Sequence, residues 1–176
     1  MAHVKRTSLA RQPCSIARTM DLLGDWWTPL VLRDAFHGIR RFDDFRRSLG
    51  VARNTLALRL QRLVDEGLLE RVRYQDRPER FEYVLTDKGA DFYPVLAAIT
   101  AWGDRWLAGA EGAPVITRHT SCGHATHAEV VCEHCHQPLT GNTVHREMGP
   151  GFPEGLADRP DVRARFANDD PPHPAG

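Results

Sequence analysis

The residues with the most specific chemistry stand in the C-terminal third: His119, Cys122, Cys132 and Cys135. They form two pairs of identical spacing, His119-x2-Cys122 and Cys132-x2-Cys135, separated by nine residues. Four-coordinate zinc takes thiolate and imidazole ligands in this pattern, each pair presented by a tight turn. Such a Zn2+ would be structural, lending folding energy to a segment with almost no core of its own. His124 and His127 are rival fourth ligands, and His119 is preferred because it keeps the spacing of its partner pair. A ribbon without metal and a Cys132–Cys135 disulfide stand as alternatives. The fourth cysteine, Cys14, is isolated near the N-terminus. The clustering of the other three points to metal before disulfide in a reducing compartment.

The second constellation is built from arginine. Arg supplies 21 of the 23 cationic side chains, and 11 arginines lie between Arg40 and Arg80. The formal charge of zero conceals a division: residues 1–107 carry 18 cations against 14 acids, and residues 108–176 carry 5 against 9. Arg forks onto phosphate oxygens and guanine edges, so this distribution points to a nucleic-acid face.

Those side chains need elements to hold them. Ile16, Met20 and Leu23 have helical spacing, and Gly24-Asp25 ends that segment. A second helix opens at Trp26-Trp27-Thr28-Pro29, with Thr28 as N-cap and Pro29 in the first helical position. Phe42, Phe45 and Leu49 share one face of a short third helix, followed by a break at Gly50-Val51. A longer helix spans residues 52–66, where Leu56, Leu60, Leu63 and Val64 make one apolar stripe. Two helices split by a short glycine-bearing turn are a helix-turn-helix. After Gly67 the period shortens to two, so 69–74 and 80–85 read as strands around the polar loop 75–79, forming a wing. A last helix runs from the Thr86-Asp87-Lys88-Gly89 cap to Leu107, and Pro94 within it removes one backbone bond and kinks it, unless the helix begins later. Its stripe of Phe92, Leu96, Ile99, Trp102, Gly103 and Trp106 exceeds what a small domain covers and predicts a homodimer contact.

On this scaffold the side chains opposite the leucine stripe are Arg53, Asn54, Thr55 and Leu58, flanked by Arg59 and Arg62. Arg suits guanine, Asn suits adenine, and Thr and Leu meet thymine methyls. Arg62, further along, is a phosphate candidate. Arg73, Arg77 and Arg80 of the wing reach backbone or minor groove, and Arg40 and Arg41 lie where the positioning helix meets phosphate. Double-stranded DNA is the expected partner.

The run Cys14…Leu22-Leu23-Gly24-Asp25-Trp26-Trp27-Thr28-Pro29-Leu30-Val31-Leu32-Arg33-Asp34, then Gly38-Ile39-Arg40-Arg41-Phe42-Asp43-Asp44-Phe45, resembles the HxlR family of winged-helix regulators. Thr55-Leu56-Ala57-Leu58-Arg59-Leu60, Glu66-Gly67-Leu68-Leu69-Glu70-Arg71 and Tyr83-Val84-Leu85-Thr86-Asp87-Lys88-Gly89 continue the resemblance over about residues 12–107. It implies a homodimer joined through N- and C-terminal helices and bound to operator DNA. It also implies a redox or electrophile sensor at Cys14, since some members carry a sensing cysteine there. Such a thiol must be accessible and acidic, and Arg11 and Arg18 are its nearest cations in sequence. The paired ligands resemble a small zinc ribbon that some members append.

The fold expected is therefore mainly α with a small β-hairpin wing, a winged helix-turn-helix. It carries a C-terminal zinc-ribbon-like β appendage and a largely disordered tail. The DNA-binding and dimerisation domain occupies 12–107, a linker 108–117, the appendage 118–147 and a Pro/Gly-rich tail 148–176, within which Asp161 to Asn168 has the pattern of one or two helical turns. No run approaches the about 18 apolar residues of a membrane span, and Met1–Arg11 lacks the apolar core of a secretory signal, so a cytoplasmic location is expected. His127-Ala128-Glu129 before Cys132-Glu133-His134-Cys135 echoes a zinc-deaminase signature. Only two residues intervene and its proline is missing, so no enzyme is expected. A winged-helix adaptor that binds protein in place of DNA is the alternative, and the arginine density argues against it.

Overall fold

The computed structural model describes residues 8–167. They fall into two compact units, one of residues 19–128 and one combining 8–18 with 129–167. Helix α1 (Ser15–Leu23) crosses the boundary between Arg18 and Thr19.

In the larger unit, α2 (Trp27–Phe36) begins one residue before the expected cap. The capping group is Asp25, whose Oδ1 accepts the N–H groups of Trp27 at 2.9 Å and Thr28 at 3.2 Å. An ionised carboxylate answers both the unpaired amides and the positive end of the helix dipole, which a threonine hydroxyl does only in part. Thr28 lies fully buried inside the first turn instead. Helix α3 (Phe42–Leu49) ends at Gly50, whose φ of 62° turns the chain without the steric cost that a Cβ would bring. Helix α4 (Arg53–Asp65) follows two residues later.

Leu56, Leu60 and Leu63 of α4 have no solvent exposure. With Leu23, Val31, Leu32, Ala35, Phe45, Val51, Leu68 and Leu69 they make the core, onto which Trp27, Phe42, Tyr83, Phe92 and Leu96 pack from its edges. Burying a leucine is worth about 1.5–3 kcal/mol, so this stripe holds the helix at one rotation about its axis. Strands β1 (Leu69–Gln75) and β2 (Arg80–Leu85) pair antiparallel from Leu69↔Leu85 to Gln75↔Arg80, with an irregularity between Arg73 and Gln75. The hairpin is as expected, with β1 one residue longer.

The expected single last helix is two. Thr86 caps α5 (Asp87–Ala90) by accepting the Gly89 N–H at 3.0 Å, while its hydroxyl donates to the Gly67 carbonyl at 2.6 Å. The chain then restarts as α6 (Tyr93–Leu107), with Pro94 in the first turn, where its missing N–H costs no intrahelical bond. Phe36 and Tyr93 meet edge to face at 5.1 Å, seating the start of α6 on α2. The expected linker contains a 3-10 turn at Gly109–Glu111.

In the smaller unit, α7 (Glu154–Ala157) and α8 (Pro160–Phe166) occupy a region expected to be largely disordered, α8 falling where one or two helical turns were expected from Asp161 to Asn168, of which Asn168 lies outside the described residues. Val162 is buried, and Phe152 meets Phe166 edge to face at 5.5 Å, so local apolar packing outweighs the density of Pro and Gly. The Asp169-Asp170-Pro171-Pro172 run lies outside the described residues. No β-strand forms in 118–147; isolated bridges join Arg118 to Ala125 and Val131 to Pro138.

The corner at Gly89 gives a test of this packing. A Cβ there would stand 2.0 Å from the Leu68 carbonyl oxygen, a backbone atom that cannot step aside. Gly89→Ala should lower the free energy of unfolding by about 2–3 kcal/mol, read from urea denaturation; an unchanged midpoint would show that this corner is not closely packed.

Candidate nucleic-acid interface

The outward side of α4 is made of Arg53, Asn54, Ala57, Leu58 and Gln61, all exposed, with Thr55 half-buried at its margin. Leu58 is 65% exposed, an unusual outlay of apolar surface for a helix whose other leucines are dry. The helix enters from Ala52, extended and without a side-chain cap, as its sequence implied. The Arg53 guanidinium lies 5.0 Å from the Phe42 ring centre, stacked on the neighbouring helix with its charge still facing water.

Arg59 and Arg62, expected on the flank of that surface, point back into the protein. The Arg59 guanidinium pairs with Asp25, and Arg62 donates to the Asp21 carbonyl with the Asp21 carboxylate 3.9 Å away. Nothing in the local sequence signals these partners, because they lie far back in the chain.

The wing is tied to the helix-turn-helix by both backbone and charge. The Tyr83 N–H donates to the Arg40 carbonyl at 2.8 Å, and Arg41 bridges to Glu82. Arg41 Nε donates to Glu82 at 3.1 Å, and the guanidinium lies 4.7 Å from the Tyr74 ring. The Glu82 hydrogen bond, then Tyr74, raises the Arg41 pKa above its usual value. The side chains of Arg40, Arg77 and Arg80 are exposed. Arg73 is shared between Asp76 at 3.2 Å and Glu79 at 3.3 Å.

Three further cations belong to this description. Arg71 lies 3.5 Å over the Phe81 ring, and Arg46 and Arg47 are exposed on α3, Arg47 paired with Asp44 at 3.1 Å. Arg71 was detectable as the i−2 neighbour of Arg73 on one strand face. Arg47 was detectable by its place opposite Phe42 and Phe45, and Arg46 by its place on the flank of that face.

The two pairs of metal-type residues are divided between the compact units, His119 and Cys122 in one, Cys132 and Cys135 in the other. Each pair sits in the same kind of turn. His119 N–H donates to the His124 carbonyl at 3.0 Å and Gly123 N–H to the His119 carbonyl at 2.7 Å. Thirteen positions later, Cys132 N–H donates to Gln137 and His136 N–H to Cys132, both at 2.9 Å. The turn residues Gly123 (φ 73°) and His136 (φ 56°) are both left-handed. Cys122 Sγ lies 3.4 Å from His119 Nδ1, a separation that suits two ligands of one tetrahedral zinc. In the second turn the backbone N–H groups of Cys135 and His134, then the Cys135 side chain, hold the Cys132 thiol below its ordinary pKa. His124 and His127 are exposed. No group of three or more His, Cys, Asp or Glu side chains is gathered for a metal ion among the described residues.

Cys14 is exposed and precedes α1, its carbonyl accepting the Arg18 N–H at 3.1 Å. The Arg18 guanidinium is turned to the Gln12 carbonyl at 2.8 Å and not to the thiol. Helix α6 buries none of its residues, and Ile99, Trp102 and Trp106 are 51%, 60% and 65% exposed.

A glycine turn between two helices, a second helix dry on one side and polar on the other, and an antiparallel hairpin directly after it define a winged helix-turn-helix protein. The profile of the HxlR-like helix-turn-helix family matches residues 22–111, and the chain belongs to that family. It is 43% identical over 143 residues to an HTH-type transcriptional regulator of Mycobacterium tuberculosis, Rv3095, itself uncharacterized, covering 81% of this chain and 90% of that one. An uncharacterized HTH-type regulator of Synechocystis, sll1512, is 41% identical over 95 residues, 53% of this chain and 70% of that one. Among solved structures, PA1607, a candidate transcription factor, aligns with a TM-score of 0.73 at 34% identity, over 81% of this chain and all of that one. PA1374 from Pseudomonas aeruginosa, also a candidate transcription factor, aligns with a TM-score of 0.56 at 40% identity, over 86% and 99%. Among the described residues no helix is long and apolar enough to cross a membrane.

Proposed function

We propose that this chain is a sequence-specific DNA-binding transcriptional regulator that acts as a homodimer. The observation that carries the reading is the orientation of α4. Leu56, Leu60 and Leu63 are dry, and Arg53, Asn54 and Leu58 are exposed on the outward side. A helix so placed enters the major groove with its first turns against base edges, while Arg40, Arg77 and Arg80 meet phosphates. Arg53→Ala and Asn54→Ala should each cost about 1–3 kcal/mol and relax sequence preference, whereas Arg77→Ala should weaken binding to every duplex alike. Fluorescence anisotropy across a salt series measures this. Binding that does not weaken with salt, or equal losses for all three variants, would favour a protein-binding adaptor on the same scaffold. In the same assay, peroxide should reduce the affinity of the wild type and spare Cys14→Ser if the exposed Cys14 senses oxidants.

The bare face of α6 supports the dimer. Exposed Ile99, Trp102 and Trp106 form an apolar strip that a second copy would cover. Light scattering should give twice the chain mass, and Trp102→Glu should halve it; a monomeric wild type overturns the assignment.

The repeated turns support structural zinc held by His119, Cys122, Cys132 and Cys135. The metal would offset two of the three thiolate charges and cross-link a segment almost without buried side chains. Protein purified with zinc present should retain about one ion per chain by elemental analysis, and Cys132→Ser should lose it. A wild type free of zinc refutes this.

A further inference from the structure

The middle of α4 carries two arginines that the surface reading would send toward DNA, and the structure gives both of them other partners. Asp21 and Asp25 lie four residues apart where α1 gives way to α2, and Arg59 and Arg62 lie three apart on one flank of α4. The pairs meet as two straps: Arg59 with the Asp25 carboxylate, Arg62 with the Asp21 carbonyl and, at 3.9 Å, its carboxylate. Asp25 divides its oxygens, Oδ1 capping α2 through Trp27 and Thr28 and Oδ2 holding Arg59. The Arg59 side chain is 27% exposed and that of Asp25 is 20%. The Arg59 Nε is buried with no hydrogen-bond partner among the described residues, so part of this guanidinium has left water while Asp25 holds its charge. To reach a phosphate it would abandon Asp25 and leave a largely buried carboxylate without its counter-charge. Arg53, exposed at the first turn of the same helix, carries no such penalty.

We infer that Arg59 and Arg62 are positioning residues that strap the recognition helix to the α1–α2 corner through Asp25 and Asp21, and that they do not contact phosphate. The strap sets the angle at which Arg53 and Asn54 meet base edges, so its loss reduces discrimination more than general attraction. This rests on the DNA-binding reading proposed above, and the test separates the two.

The probe is a fluorescein-labelled duplex enriched from a random pool by the wild-type protein, compared with a mixed-sequence duplex across a salt series. Arg59→Gln and Asp25→Asn, whose amide oxygen still caps α2, should each weaken binding to the enriched duplex about tenfold. The mixed-sequence affinity and the slope of log K against log salt should stay at the wild-type values. The double variant should lose no more than either single one, and Arg59→Lys should recover most of the loss. Arg77→Gln serves as the contrast, its slope falling by about 0.9 for one phosphate lost. If Arg59→Gln lowers the slope in the same way and Asp25→Asn binds as well as the wild type or better, Arg59 touches DNA and the inference is overturned. If the wild type enriches no sequence and shows no salt-dependent binding, the regulator reading itself fails.

Discussion

The dry stripe of α4 governs everything built around it. Leu56, Leu60 and Leu63 are sealed against α2, α3 and the base of the wing, and that burial sets the rotation of a thirteen-residue helix about its own axis. Successive residues of a helix are about 100° apart, so turning by one position would drive Gln61, or Arg59 and Arg62, into the core and lift a leucine into water. The cost of either is several times the worth of a surface ion pair. The two buried residues that follow, Leu68 and Leu69, then force the chain to fold back against the same core, and the hairpin begins there.

Much of this was legible in residue order because it depends on local period. The leucine stripe, the glycine turn at Gly50 and the change of period after Gly67 all lie within a few residues of the structure they specify. The misplaced features depend on partners that the local pattern does not contain. Thr28 looked like a cap, but the stronger acceptor three residues earlier takes that place and draws Thr28 into the core. The 86–107 segment is an exception: its break falls just before Pro94, in the first turn of α6, where the sequence already allowed a later start. Of the helices at 154–166, the second falls where the 161–168 pattern placed a helical turn or two, and the first was hidden by composition; two phenylalanines and a valine supply the small apolar nucleus that the prolines obscure.

The site shows the same division. Arg53, Asn54, Leu58, Arg77 and Arg80 face water as the pattern placed them. Arg41, Arg59, Arg62 and Arg73 have intramolecular partners, and these are not equivalent. Arg73 and its acids are all more than half exposed, and such pairs are worth about 0–1 kcal/mol, weak enough to be exchanged for a phosphate. Arg59 is held in a drier setting and answers a carboxylate that already caps a helix. Counting arginines measures the first kind of cation well and overcounts the second. The paired turns around His119 and Cys132 are also a local matter: each repeats the same hydrogen bonds around the same spacing.

The junction between wing and positioning helix has a consequence for how a footprint would respond to its surroundings. The Tyr83 amide bonded to the Arg40 carbonyl is a link between neutral backbone groups, and added electrolyte does little to such a bond. The hairpin is thus mounted like the jaw of a fixed caliper, its span from α4 set by peptide geometry. On the regulator reading, higher ionic strength would loosen the protein's hold on a duplex without altering how many base pairs the hold encompasses.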